Sequence, residues 1–206
     1  MRFLQLKNKL KDFIVFSIRD IEKINKSIYP SRLVEWQDKG YIKKIIRGYY
    51  ILSDLEAIDE SVLFMIANKI YKPSYISFEM ALSYYNLIPE SIYGITSATS
   101  RHTYSFSTPF GEFSYRRIKP KLLFGYKLVG YKNRIYRIAE IEKALIDYFY
   151  IKPFLKSDED FEGLRIDKRT FLEEVNIEKL NKYLEACNSK VLYERVRRFM
   201  RYIKNA

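Results

Sequence analysis

Residues 38–52 read DKGYIKKIIRGYYIL, and this stretch sets the architecture expected for the first quarter of the chain. Two short runs rich in β-branched and aromatic residues, 41–46 and 49–52, flank Arg47-Gly48. Because glycine can adopt the positive φ of a tight turn, the two runs are predicted to pair as a β-hairpin. Gly40 is the residue type that commonly follows a helix, so a helix is expected to end just before it.

Two helical patterns lie near the N-terminus. Apolar residues recur at i, i+4, i+7 and i+8 over 6–14, which is the spacing of one helix face. Ser17, followed by Asp20 three positions later, is typical of a capped helix start, because the hydroxyl accepts from free N–H groups and the carboxylate meets the positive helix end. Isoleucines at helical spacing extend this second helix to Ile28.

A third helix is predicted between these two and the hairpin. Pro30 suits a first helical turn, and the helix is expected to run to about Lys39 with Leu33 and Trp36 packed inward. Three helices followed by a hairpin is the order of a winged helix, in which helices two and three form the helix-turn-helix and the hairpin is the wing. We therefore predict a winged helix-turn-helix domain over residues 1–53, with a hinge at Ser53-Asp54.

Residues 54–206 predict a second domain of mixed secondary structure. A helical pattern begins at Leu55, and others cover 77–86, 138–149 and 191–204, the last being basic and amphipathic. Alternating Tyr and Phe on both sides of the turn 108–111 predict a hairpin in a small sheet. The expected fold class is α+β, with the winged helix followed by a mixed helix and small antiparallel sheet domain that has C-terminal helices.

Composition narrows the possible partners. The chain has 37 Lys and Arg against 25 Asp and Glu, a net charge of +12, and residues 1–52 hold 12 of the basic residues against five acidic ones. This excess favours a polyanionic partner, nucleic acid first. One Cys and one His exclude an internal disulfide and a Cys/His zinc cluster. No P-loop or dinucleotide-binding motif is present, so we expect no cofactor. No apolar run is long enough to span a bilayer, so we expect a cytoplasmic protein with no membrane contact.

The N-terminal unit supplies the candidate DNA contacts. Arg32 could pair with guanine, and Glu35 could accept from cytosine or orient Arg32. Tyr49 and Tyr50 lie on opposite faces of a strand, so one should pack inward while the other, with Tyr49 as the candidate, touches the DNA backbone. A winged helix that contacts only protein is the alternative. The candidate base- and phosphate-contacting residues are Ser17, Arg19, Ser31, Arg32, Glu35, Lys39, Lys43, Lys44, Arg47 and Tyr49.

The sequence contains three further groups of candidate functional residues. Glu140, Glu142 and Lys143 have the acidic-x-acidic-Lys order of metal-dependent nucleases, but on an amphipathic helix they more simply form the solvated face. His102 lacks an identifiable acid partner and a GxSxG elbow, which argues against a hydrolytic triad. A second basic surface is predicted near the turn 108–111, where it could bind DNA, RNA or an acidic protein; the alternative is an ordinary solvated face. Its residues are Arg101, Arg116, Arg117, Lys119 and Lys121.

Two blocks of the chain resemble the AbiEi-like antitoxins of type IV toxin–antitoxin and phage-defence systems. One runs from Phe16 to Leu52 and includes the quoted stretch. The other runs from Pro73 to Ile151 and contains SYISFEMALSYYNLIPE, TPFGEFSYRRI and YRIAEIEKALIDYFY. The order and spacing of the set carry the resemblance, because no single motif is specific. The segment from Leu155 onward has no match to the family pattern.

The resemblance implies an N-terminal domain that binds inverted repeats in its own promoter and a C-terminal domain that antagonises a nucleotidyltransferase-like toxin, without a necessary complex between the two proteins. By this resemblance Arg32, Lys43, Lys44 and Arg47 occupy recognition-helix and wing positions. We therefore predict a non-enzymatic antitoxin and transcriptional autorepressor. The rivals are a protein-interaction module that neutralises a toxin by direct contact, which the aromatic second domain would suit, and a metal-dependent nuclease.

Overall fold

The structure is a computed structural model that describes residues 3–10, 13–25, 29–55, 57–89 and 94–205. Within these ranges the chain has a mixed α+β architecture, with one three-stranded and one six-stranded sheet. This architecture confirms the α+β class predicted from the sequence. None of the helices in these ranges is long and apolar enough to span a bilayer.

The three-stranded sheet belongs to the N-terminal part of the chain. The elements there are α1 (Phe3–Leu10), β1 (Phe16–Ser17), α2 (Ile18–Ile24), α3 (Pro30–Asp38), β2 (Ile42–Ile46) and β3 (Tyr49–Leu52). The strands lie in the order β1-β3-β2 and are antiparallel. The predicted hairpin of β2 and β3 is confirmed, and Gly48 occupies its turn with a φ of +85°.

Two of these helices are shorter than the apolar spacing predicts. α1 ends at Leu10, so Ile14 follows it in non-helical chain and is nevertheless buried. α2 ends at Ile24, and the predicted end at Ile28 lies outside the described residues. Apolar spacing reports which side chains are buried, and a loop that returns to the core can bury them as well as a helix can.

A small apolar core holds the N-terminal part together. Leu33 and Trp36 of α3 are each 3% exposed, so the prediction that both pack inward is confirmed. Pro30 stands in the first turn of α3, where its missing N–H removes no helical hydrogen bond. The core residues are Leu6, Leu10, Phe16, Ile21, Leu33, Trp36, Ile42, Tyr50 and Leu52.

The second sheet is mixed, and the prediction of a small antiparallel sheet is wrong. Its strands are β4 (Ser74–Ile76), β5 (Ile95–Thr99), β6 (Tyr104–Thr108), β7 (Gly111–Arg117), β8 (Tyr126–Tyr131) and β9 (Arg134–Ala139). They lie in the order β6-β7-β5-β4-β9-β8, and β4 with β9 and β5 with β7 are parallel. The antiparallel expectation came from the single hairpin of β6 and β7, which is confirmed. Parallel pairs join strands that are distant in sequence, so no local pattern records them.

Helices cover both faces of this sheet. They are α4 (Glu60–Ile70), α5 (Phe78–Tyr84), α6 (Ile141–Ile151), α7 (Asp158–Glu162), α8 (Lys168–Glu174), α9 (Ile177–Cys187) and α10 (Lys190–Asn205), with a 3-10 turn at Pro120–Leu122. On one face Tyr115 of β7 donates to the Ala67 carbonyl of α4 at 2.8 Å. On the other, Tyr75 of β4 donates to Asp147 of α6 at 2.7 Å.

The helix expected from Leu55 begins five residues later. Asp59 caps α4 by accepting from the Val62 N–H, so Leu55 and Ile58 precede the helix. The helical pattern predicted from residue 138 likewise starts late, because Ile138 belongs to β9. The last predicted helix is confirmed as α10, whose apolar stripe is buried and whose basic residues lie largely outside it.

The N-terminal part packs directly on the rest of the chain. Ile14, Val15, Ile45 and Ile51 belong to the larger apolar core that surrounds the six-stranded sheet. An ion pair adds to this contact, with Lys69 Nζ of α4 2.8 Å from the Asp20 carboxylate of α2. The division into two domains at residue 53 stays a prediction. The parts of the chain on either side of this position share a buried apolar core.

Replacing Asp20 by Asn is expected to destabilise the fold by about 1 kcal/mol at neutral pH, since it removes the Lys69 pair and weakens the Ser17 capping box. Burial raises the pKa of Asp20, but hydrogen bonds from Lys69 and Ser17 outweigh burial and hold it below the ordinary value. A carboxylate whose pKa is lower in the folded state stabilises the fold above its unfolded-state pKa. This stabilisation is lost as the pH falls through the folded-state pKa. Urea unfolding should show the gap between wild type and variant closing as the pH falls through the lowered folded-state pKa of Asp20. A gap that is independent of pH would contradict this.

Candidate nucleic-acid interface

Three of the predicted base-facing residues form one charged row along α3 and its C-cap residue, Lys39. Arg32 Nη1 lies 2.7 Å from Glu35 Oε2, and Lys39 Nζ lies 2.7 Å from Glu35 Oε1. The spacings i,i+3 and i,i+4 place all three on the same helix face. Hydrogen bonds from Lys39 and then Arg32 lower the pKa of Glu35, and the same contact raises the pKa of Lys39. Glu35 thus orients both cations, and the row keeps one net positive charge.

The α3 row faces an open groove. The groove has a volume of about 820 Å³, and the first turns of α1 form its other side. Lys7 of α1 reaches into it and lies 2.5 Å from Asp54 Oδ2. Sequence reasoning did not identify the α1 residues, because nothing in local spacing places the start of α1 beside α3. The described lining residues are Phe3, Leu4, Gln5, Lys7, Arg32, Glu35, Trp36, Lys39 and Tyr41.

The β2–β3 hairpin carries three exposed cations, Lys43, Lys44 and Arg47. Strict alternation would place Lys43 and Lys44 on opposite faces of the strand. The pairing register shifts between Lys44 and Ile46, and such a bulge redirects side chains, so that both lysines are exposed while Ile45 is buried. Among the described residues none of the three has an ion-pair partner.

The side chains of the remaining predicted contacts differ in their exposure and in their hydrogen-bond partners. Ser17 Oγ accepts from the Asp20 N–H and donates to the Asp20 carboxylate, so the capping box occupies its hydroxyl. Arg19 and Ser31 are exposed. Tyr49 is half-buried, whereas Tyr50 is 6% exposed and packs on Phe16. Of the two tyrosines, Tyr49 is therefore the more accessible.

The five residues of the predicted second basic surface lie on different elements. Arg101 lies 4.4 Å above the ring of Tyr71, and Arg116 lies 6.0 Å from the ring of Phe78. Arg116 and Arg117 are successive residues of β7, so their side chains leave opposite faces of the sheet. Lys119 and Lys121 are exposed around the 3-10 turn. Alternation in the strand separates Arg116 from Arg117, and the second basic surface as a whole stays a prediction.

The acidic-x-acidic-Lys motif is not a solvated helix face. Lys143 is fully buried and Glu142 is 3% exposed. Lys143 pairs with Asp147, whereas Glu140 accepts from Tyr183 and lies 3.0 Å from Lys179. Glu142 lies 3.4 Å from the same Lys179, so the two glutamates share a cation and the lysine of the motif pairs elsewhere. In the described residues no three His, Cys, Asp or Glu side chains are arranged to hold a metal ion.

No protein-family model matches the chain, and no curated protein matches it. Any function must therefore be inferred from the residues of the chain. Among the described residues, the α3 row and the cations of the β2–β3 hairpin are candidate contacts that the sequence predicted, and both lie on the surface of the N-terminal part of the chain.

Proposed function

We propose that the chain is a non-enzymatic DNA-binding antitoxin and autorepressor of the AbiEi-like type. In this proposal residues 1–53 are a winged helix that binds inverted repeats in promoter DNA. The element order α1-β1-α2-α3-β2-β3, with strands in the order β1-β3-β2, supports the winged-helix interpretation. α3 is then the recognition helix and the β2–β3 hairpin is the wing.

The observation that carries the proposal is the cationic hairpin. Lys43, Lys44 and Arg47 are exposed and have no carboxylate partner among the described residues, so their charge is available to a polyanion. Contacts of this kind release counterions from DNA and supply much of the binding free energy. Arg32 adds a guanidinium that Glu35 holds in place, which suits a base edge or a phosphate.

The second part of the chain is proposed to antagonise a nucleotidyltransferase-like toxin in the cytoplasm. The family resemblance is the basis for this role, and it requires no stable complex. Direct neutralisation of a toxin by contact is the second candidate. An aromatic group on the six-stranded sheet favours it, since Tyr104 is 54% exposed and its ring packs on Phe106 and Tyr71. Exposed aromatic side chains are common anchors of protein interfaces.

A gel-shift titration of the full chain tests DNA recognition. We expect DNA from upstream of its own gene, if it carries an inverted repeat, to bind about a thousandfold more tightly than shuffled DNA. Co-expression with the toxin gene expected beside it should restore growth, and the two proteins should not co-purify. Equal affinity for both DNA molecules would remove the autorepressor role. Stoichiometric co-purification would favour direct neutralisation.

A further inference from the structure

A cleft of about 270 Å³ lies between the segment that follows α1 and the surface of α4 and β9. Ile14 and Val15 of that segment form its apolar wall, together with Met65 of α4. Ile135 of β9 is a further apolar lining residue. Among the described residues that line the cleft, four are cationic and none is acidic, and the polar lining consists of Asn68, Lys69, Lys72, Arg134 and Arg137.

The positive charge of this cleft is only partly compensated. Asp20 neutralises Lys69 at 2.8 Å. Lys72 and Arg137 have no carboxylate partner among the described residues, and the Arg137 guanidinium lies 5.8 Å from the ring of Tyr126. Loss of hydration and then repulsion from Lys69 and Arg137 lower the pKa of Lys72, and Asp20 offsets part of this effect. An anion in the cleft would relieve that repulsion.

Asn68 gives the cleft a directed hydrogen-bond donor. Its side chain is 9% exposed, and its Oδ1 accepts the backbone N–H of Arg137 at 2.6 Å. This bond fixes the orientation of the amide, so Nδ2 is the atom left over, and Nδ2 is buried with no hydrogen-bond partner. Buried polar atoms in folded proteins nearly always have a partner. Nδ2 has almost no accessible surface, so an acceptor in the cleft would complete its hydrogen bonding after a small shift of the side chains around it.

We propose that this cleft binds a phosphate group, with Asn68 Nδ2 donating to one oxygen while Lys72 and Arg137 neutralise the charge. Phosphate fits because it carries more than one negative charge and several strong acceptor oxygens. The group can come from a free phosphorylated compound or from the backbone of bound DNA, and the chemistry of the site is the same for both. The site goes beyond the proposed antitoxin function and does not require it.

Calorimetric titration of the full chain with inorganic phosphate and with pyrophosphate, at ionic strength held constant with sodium chloride, tests the site. We expect saturable binding. Asn68→Asp keeps the acceptor for the Arg137 N–H but replaces the donor by a negative oxygen, and Lys72→Glu inverts an exposed charge of the cleft. Each variant should weaken binding by at least about tenfold. Lys182→Glu makes the same charge change on the exposed side of α9 and should bind as the wild type does.

Gel shifts with the same variants identify the source of the phosphate. Loss of phosphate binding with unchanged DNA affinity supports a free phosphorylated compound, whereas a parallel loss of DNA affinity supports a backbone phosphate. Absence of saturable binding by both probes together with unchanged DNA affinity would overturn the site, as would equal losses in Lys72→Glu and Lys182→Glu. If the wild-type chain binds no DNA, the proposed function fails. The phosphate titration then still tests whether the cleft binds phosphate.

Discussion

Asp147→Asn is expected to destabilise the protein by about 3–5 kcal/mol, the usual cost of leaving one charge of a buried ion pair without its partner. Asp147 of α6 is fully buried and accepts from Tyr75 at 2.7 Å and Ser77 at 2.8 Å while it pairs with Lys143. Asparagine still accepts from both hydroxyls. Both hydroxyls donate to the same oxygen, so the amide nitrogen of asparagine takes the place of the oxygen that faces Lys143 and leaves its ammonium uncompensated inside the core. Urea unfolding followed by circular dichroism measures the loss.

A double-mutant cycle separates the pair from other effects of the substitution. Lys143→Met leaves a buried carboxylate without its cation and should also be costly. Combining it with Asp147→Asn removes both charges, so the double variant should cost less than the sum of the two single variants by at least about 1 kcal/mol.

The exposed pair Arg169–Glu173 is a matched control for the buried one. It has the same i,i+4 spacing and an N–O distance of 2.9 Å, but its side chains are 84% and 57% exposed. Glu173→Gln should change the unfolding free energy by no more than about 0.5 kcal/mol. An Asp147→Asn protein as stable as wild type, or a Glu173→Gln protein equally destabilised, would contradict the assignment of the Lys143–Asp147 pair as a buried structural element.

The second large effect concerns DNA binding by the β2–β3 hairpin. Replacing Lys43, Lys44 and Arg47 together by Ala should weaken binding to promoter DNA by roughly ten- to a hundredfold at physiological salt, because three phosphate contacts are lost. Each lost contact lowers the slope of log affinity against log salt by about 0.9, so the slope should fall by nearly 3 units. Fluorescence anisotropy over a salt series measures both quantities. The three side chains are exposed, so the fold should stay intact.

Two controls make the hairpin prediction specific. Replacing the exposed lysines Lys182, Lys190 and Lys204 of α9 and α10 by Ala removes the same charge far along the chain and should leave affinity and slope nearly unchanged. Glu35→Gln removes a negative charge from the α3 row, releases Arg32 and Lys39, and should strengthen binding to non-specific DNA. If the hairpin and control variants lose the same affinity, binding depends on net charge, and the assignment of the wing is wrong.

Local sequence chemistry determined the elements whose signals are complete within a few residues. Gly48 requires a turn, and the runs beside it form β2 and β3. Ser17 and Asp20 form the capping box of α2, and helical spacing places Leu33 and Trp36 in a core. Each of these features depends on backbone conformation or on one face of one element, so neighbouring residues suffice to specify it.

Tertiary structure decided what depends on distant segments. The sequence pattern of α6 could not show that Lys143 is buried, because α6 is covered on several sides and the partner of Lys143 lies on a face that solvent does not reach. Likewise, the Asn68 donor and the cations of its cleft come from α4, β9 and the loop between α4 and β4. The parallel pairing of β4 with β9 has the same origin. Burial and charge compensation are properties of how elements pack, and residues that are far apart in sequence meet only in the folded chain.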